Sequence, residues 1–135
     1  VPKFIAAIFV VLHGLVHLLY SGHSRRMFEI APGLAWPDGS WVISKILGNE
    51  NARLLATLLL AVAAVLFVAG GVAIFASQGW WRPAVVAAAA LSAAIFVLFW
   101  DGRLHRLPEQ GAIAILINVA ILLVVLVLGW PALGS

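Results

Sequence analysis

Residues 52–76 read ARLLATLLLAVAAVLFVAGGVAIFA, a run in which Arg53 is the single charge. A helix rises 1.5 Å per residue, so about 20 apolar residues cross a hydrocarbon core of roughly 30 Å. This run exceeds that length and has no polar stripe of the kind a water-facing helix needs. It is read as a membrane span whose excess is taken up by tilt or by projection beyond the bilayer. Its polar beginning, Asn49 to Arg53, is expected at the interface with Asn49 as N-cap.

Three further apolar stretches flank it, at 3–20, 83–100 and 111–129. With their polar flanks the helices are expected at 3–20, 50–76, 83–101 and 109–129, in one domain over 1–135. The predicted fold is an all-α integral membrane protein: a four-transmembrane-helix bundle with a short amphipathic interfacial helix between the first two spans. Composition agrees, since 64% of residues are hydrophobic and 10% charged, where soluble domains carry about 25% charged residues. Lys3 ahead of an apolar run that ends in Ser21 and Gly22 has the outline of a secretory leader. The run is long for a leader core and holds two histidines, so it is read as a span.

The net charge of +3 comes from eight basic and five acidic side chains scattered singly between apolar runs. A nucleic-acid partner, which needs a basic stripe, is excluded. The absence of cysteine removes disulfides, thiol redox chemistry and thiolate metal ligation.

The first connection, 21–48, is longer than a helical hairpin requires. Trp36-Pro37-Asp38-Gly39 reads as a tight turn with Pro at its first corner. Ser40 is placed to cap a helix over 41–47 that Gly48 stops, lying in the headgroup plane with Lys45 snorkelling. Trp80 and Trp81 suit an interface, and Pro83 suits a helical first turn. Pro108 and Glu109 suit the first turn of the last helix. Arg25, Arg26, Lys45, Arg53, Arg103 and Arg106 fall on the side of the first and third connections, against Lys3 and Arg82 on the other. The positive-inside rule puts those connections in the cytoplasm and both termini outside. The expected location is the plasma (inner) membrane of a prokaryote.

Small residues crowd two spans: Ala61, Ala63, Ala64, Gly70 and Gly71 on the second, and Ala84, Ala87, Ala88, Ala89, Ala90, Ser92, Ala93 and Ala94 on the third. Such faces let backbones approach closely, within the bundle or in a homo-oligomer. The third span is expected to be the most enclosed.

Polar residues inside the spans mark the candidate pocket. His13 and His17 stack on one helical face with Tyr20 continuing the column. Asp101 falls below Val97, Ala94, Ala90 and Ala87, Asn118 shares a face with Gly111 and Ala114, and Thr57 continues the column of Glu50 and Arg53. His13 lies about 10 Å inside the first helix and Asn118 about 12 Å inside the last, so the two can meet. Polar groups at that depth face a bundle interior or a watery cavity, and an ionisable one is a functional-site hypothesis. The bland alternative is hydrogen bonding that only joins helices. Arg25, Arg26, Arg103 and Arg106 gather nearby as contacts for an anion or headgroup, against the plainer role of setting topology.

His13 and His17, with Asp101 and His105, have spacing that suits a divalent metal. Gly14 stands where a zincin motif requires Glu, so metalloprotease chemistry has no support. Haem is disfavoured because only one helix offers buried axial histidines. The leading expectation is a His/Asp/Asn pocket near the cytoplasmic interface that binds a small or lipid-like ligand or a metal. If chemistry occurs there, His17 transfers the proton, Asp101 orients it and Asn118 holds substrate. A small oligomeric transporter or channel, and a structural or interaction subunit, are the rival readings.

Overall fold

The computed structural model describes residues 2–102, 104 and 107–131. Among them the chain is all-helical. Helix α1 spans Pro2–Ser24, α2 Ile43–Leu47, α3 Asn49–Phe75, α4 Trp81–Leu98 and α5 Ala112–Leu122, which continues as a π-helical turn, Leu123–Val127. Three of these helices, α1, α3 and α4, are long and apolar enough to cross a membrane; Ala112–Val127 is a shorter apolar helix.

Helix α1 runs past residue 20 because its final turn is bound to its neighbour. Ser21 Oγ donates to the Thr57 carbonyl at 2.9 Å and Ser24 Oγ to the Arg53 carbonyl at 2.7 Å. Lower down, α1 and α3 approach through glycines: a Cβ on Gly71 would lie 2.5 Å from Val11 Cγ2 and 2.9 Å from the Ala7 carbonyl oxygen. The buried stripe of α1 recurs every three to four residues and carries His13, His17, Tyr20 and Ser24, while Ile5, Ile8, Leu12, Leu15 and Leu19 are exposed. This is a soluble helix turned inside out, with polar groups inward and aliphatic ones outward.

Helix α4 buries Val85, Ala88, Ala89, Ser92, Ile95 and Phe96 against α3 and α5. The column Ala87, Ala90, Ala94, Val97, expected to face inward, is exposed. Residue size alone misjudged the face, because alanines cover this helix on every side and the bulky Phe96 and Ile95 mark the core. Nor is α4 the most enclosed span, at 39% buried against 44% for α1 and for α3. It ends at Leu98, and Trp41 satisfies carbonyls at that end, its indole Nε1–H donating to Val97 and its backbone N–H to Trp100 just past the helix, both at 2.7 Å.

The connections depart from expectation in detail. In the first, the Asp38 N–H donates to the Ala35 carbonyl, so Pro37 is the second corner, not the first. Ser40 Oγ accepts from the Ser44 N–H at 2.8 Å, but the helix it supports starts at Ile43. Asn49 is already helical, and its side chain accepts from the Gly39 N–H instead of capping. Pro108–Gln110 forms a separate 3₁₀ turn, and Gly111 at φ +97° reverses the chain before α5. A Cβ there would sit 2.1 Å from the Phe96 ring, so glycine is needed for space as well as conformation.

Two apolar cores result. One holds Val10, Phe67, Ile74, Trp81, Val85 and Ile121; the other holds Tyr20, Trp36, Leu60, Ile95, Phe96 and Phe99. Between them lies a polar layer.

Candidate functional site

That layer is built from three helices. His13 Nε2 and Asn118 Oδ1 are 2.9 Å apart, Asn118 Nδ2 donates to Ser92 Oγ at 2.7 Å, Ser92 Oγ lies 2.5 Å from His17 Nε2, and His17 Nδ1 lies 2.8 Å from the His13 carbonyl oxygen. The carbonyl only accepts, so His17 carries its proton on Nδ1 and accepts at Nε2 from the Ser92 hydroxyl. Asn118 Oδ1 also only accepts, which places a proton on His13 Nε2. The donors then run in one direction, from His13 through Asn118, Ser92 and His17 back to the His13 backbone. The arrangement needs no charge on either imidazole, and each bond polarises the next.

Phe67 of α3 packs on both rings, its centroid 4.8 Å from His13 and 5.0 Å from His17, and Phe96 closes the other side at 5.9 Å from His17. His17, Ser92 and Asn118 are wholly buried and His13 nearly so. Eleven residues separate His13 from the end of α1, about 16 Å, so the layer sits at mid-height of that helix.

The structure thus brings together His13, His17 and Asn118 from the sequence-based set. Tyr20 lies one ring further, its hydroxyl donating to the Glu109 carbonyl at 2.9 Å and its ring packed on Phe96 and Trp36. Thr57 stands apart, with Oγ1 donating to the Arg53 carbonyl one turn back. Asp101 lies beyond the end of α4, off the helical column proposed for it, and its backbone N–H donates to Gln110 Oε1 at 3.1 Å. Arg103, His105 and Arg106 lie outside the described residues.

Ser92 is the member that the sequence reading left out of the pocket, taking it as one small residue among alanines and, with Ser77 and Gln78, as sparse polar lining for a channel. The signal was its polarity: it was the lone hydroxyl in the stretch 83–100. Among the described residues no three of His, Asp and Glu gather as a metal-ligand set.

Among the described residues several clefts border the bundle, among them a shallow apolar groove of about 240 Å³ along α1 and α3 over Ala7, Val11, Gly71 and Phe75, and two others bear on the site. An apolar one of about 320 Å³ lies between α1 and α5, lined by Phe9 and Val10 on one helix and by Ile117, Ala120, Ile121 and Val124 on the other, with Trp81, Trp130 and Pro131 also in its wall. The His13–Asn118 bond crosses the same seam one turn beyond Phe9. The second, about 380 Å³, is polar and sits at the opposite end between Ser24, Arg25, Arg26 and the first turns of α3.

Behind that polar cleft, Asp38 joins two arginines. Arg53 binds both its carboxylate oxygens through Nε at 2.6 Å and Nη2 at 2.5 Å, and Arg26 Nη2 reaches it at 3.1 Å. Burial pushes the Asp38 carboxyl up, but the Arg53 hydrogen bonds and the charges of both guanidinia outweigh it and hold the group below the usual carboxylate range. Arg26, at φ +62°, also donates to the carbonyls of His23, Ala35 and Trp36 and so ties the first connection to the end of α1.

Fold and site together define a class: a helical bundle with an apolar exterior, a closed neutral polar layer and a lateral apolar cleft. No protein-family model, curated protein or solved structure matches the chain.

Proposed function

We propose that this chain is an integral membrane protein whose α5, with its π-helical turn, forms a fourth span, and that it binds a small apolar or lipid-like molecule between α1 and α5. The inside-out pattern of α1 supports the membrane setting, since water would charge heavily for so wide an aliphatic exterior. The end that carries Arg25, Arg26, Lys45 and Arg53 then faces the cytoplasm. The observation that carries the ligand reading is the α1–α5 cleft. Its volume falls in the usual range for small-molecule sites, about 300–1,000 Å³, and every lining residue is apolar or aromatic.

The polar layer serves this site as a clasp. It holds α1 and α5 in register beside the cleft without offering a charge to the ligand. Its closed donor sequence favours that role over proton transfer, metal ligation or an ion path.

Ala120 lines the cleft and points outward, so Ala120→Trp fills the space without touching the core. Native mass spectrometry of wild type in mild detergent should retain a bound apolar mass that the variant lacks. Equal retention by both proteins would end the proposal.

A second reading, docking on another helix in a homo-oligomer or membrane complex, is favoured by the exposed column Ala87, Ala90 and Ala94 of α4. Ala90→Leu would then lower the subunit count in the same spectra. An unchanged count would dismiss it.

A further inference from the structure

The polar cleft collects groups that the apolar site does not use. Arg25 leaves the last turn of α1, and its guanidinium makes no hydrogen bond or ion pair among the described residues. Arg53 lines the cleft from α3 with both Nε and Nη2 given to Asp38, and its Nη1 makes no hydrogen bond among the described residues. Arg26 lines the wall but is spent on three carbonyls and Asp38. Glu50 and Asn51 form the rim on α3.

Three guanidinia meet the two carboxylates of Asp38 and Glu50, so the cleft keeps a positive excess with one negative group at its edge. Directly below, the lining passes to Leu54, which shares a helical face with the exposed Leu58, and Leu18 stands two turns below Arg25 on α1. Charge gives way to aliphatic surface within a few residues, at the level where the apolar helices end.

We infer that this cleft holds the phosphate ester of an amine-bearing lipid headgroup, with the phosphate on Arg25 and Arg53, the ammonium on Glu50 and an acyl chain along Leu54, Leu58 and Leu18. A guanidinium matches a phosphate through paired N–H donors. The carboxylate at the rim disfavours a headgroup with a second anion and favours one with a cation, which gives the site a preference among phospholipids. The inference rests on the membrane setting proposed above.

The test uses the full chain in mild detergent with an equimolar mixture of palmitoyl-oleoyl phosphatidylethanolamine and phosphatidylglycerol, read by native mass spectrometry. Wild type should retain phosphatidylethanolamine in preference. Arg25→Gln, an exposed change that leaves the core intact, should cut the retained fraction roughly tenfold, as loss of a charge-assisted bond predicts, while Lys45→Gln, outside the cleft, should not. Glu50→Gln should erase the preference for the amine-bearing lipid, and millimolar inorganic phosphate should leave the lipid in place. Retention by Arg25→Gln equal to that of Lys45→Gln overturns the headgroup site, and displacement by inorganic phosphate reassigns the cleft to free phosphate. Carbonate extraction of native membranes separates the two proposals: release of the chain into the aqueous phase sinks the membrane reading itself, whereas lipid retention indifferent to Arg25 sinks only this one.

Discussion

Helix α1 makes two seams, and they are opposites. Against α3 it is drawn close at its glycines, with Gly14 and Gly71 each leaving no room for a side chain beneath a shallow outer groove, and the two serine hydroxyls bind carbonyls of the facing helix. Against α5 it is open, bridged by the His13–Asn118 hydrogen bond and flanked by a cleft of about 320 Å³. The first seam relies on dispersion over a long, close approach. The second relies on a directed polar bond, which fixes register and leaves space beside it. The first seam holds the two helices together at their backbones, and the second leaves the space that the proposed ligand would fill.

That contrast can be broken by substitution. The largest effect is expected at the closed seam: Gly71→Leu must displace backbone as well as Val11, and should lower the stability of detergent-solubilised protein by about 3 kcal/mol or more. Gly79, with nothing near its missing Cβ, is the control, and Gly79→Ala should be silent. Equal losses at the two positions, measured by helical signal during chemical unfolding, would show that the α1–α3 approach is not close.

Next comes the clasp. Ser92→Ala strands the acceptor of His17 and a donor of Asn118 in a buried layer, with an expected cost of about 2 kcal/mol. Combined with Asn118→Leu the two losses should fall short of additive by about 1 kcal/mol, because both break one chain of bonds. Strict additivity would mean that the four groups act separately.

A smaller effect belongs to the charged cluster at the end of the bundle, which water reaches. Asp38 has its carboxyl held low in the folded protein, so its stabilisation is complete above the ordinary carboxylate range and is lost as pH falls through the folded value. Arg53 is 36% exposed, so screening limits the gain to about 1 kcal/mol. Asp38→Asn should remove that much at neutral pH and flatten the acid limb of the stability curve; an unchanged acid limb would assign it to other carboxylates. The smallest effect is expected in the open seam, where Ala120→Trp should alter stability by no more than about 0.5 kcal/mol while abolishing ligand retention. A large loss of stability there would mean that the seam is closed.

The two polar clusters differ for the same reason that the seams do. In mid-bundle the groups are neutral and every donor of the chain has an acceptor, because a charge without water is costly. At the loop end full charges are paired and partly exposed. That His13 and Asn118 could meet was legible from helix lengths, although α1 runs four residues past the end assumed for it and so carries His13 further from that end. Ser92 was not legible as the joint between them, since its column differs from the rejected Ala87–Ala94 column only by rotation of α4. The column drawn for Asp101 assumed a helix through residue 101, whereas α4 ends at Leu98 and Trp41, far away in the chain, binds the carbonyls at that end.

Local chemistry determined what depends on neighbours in sequence. The apolar runs follow from composition, the inward stripe of α1 from the 3.6-residue period, and the existence of a turn at Pro37, though not its register, from backbone restriction. Tertiary structure alone decided which face of α4 turns inward, where α1 and α4 stop, which hydroxyl completes the polar layer, and that α1 meets α3 closely but leaves α5 at a distance. These choices rest on side-chain volumes and hydrogen-bond partners supplied by other helices, and a helix of alanines leaves its rotation open until a neighbour packs against it.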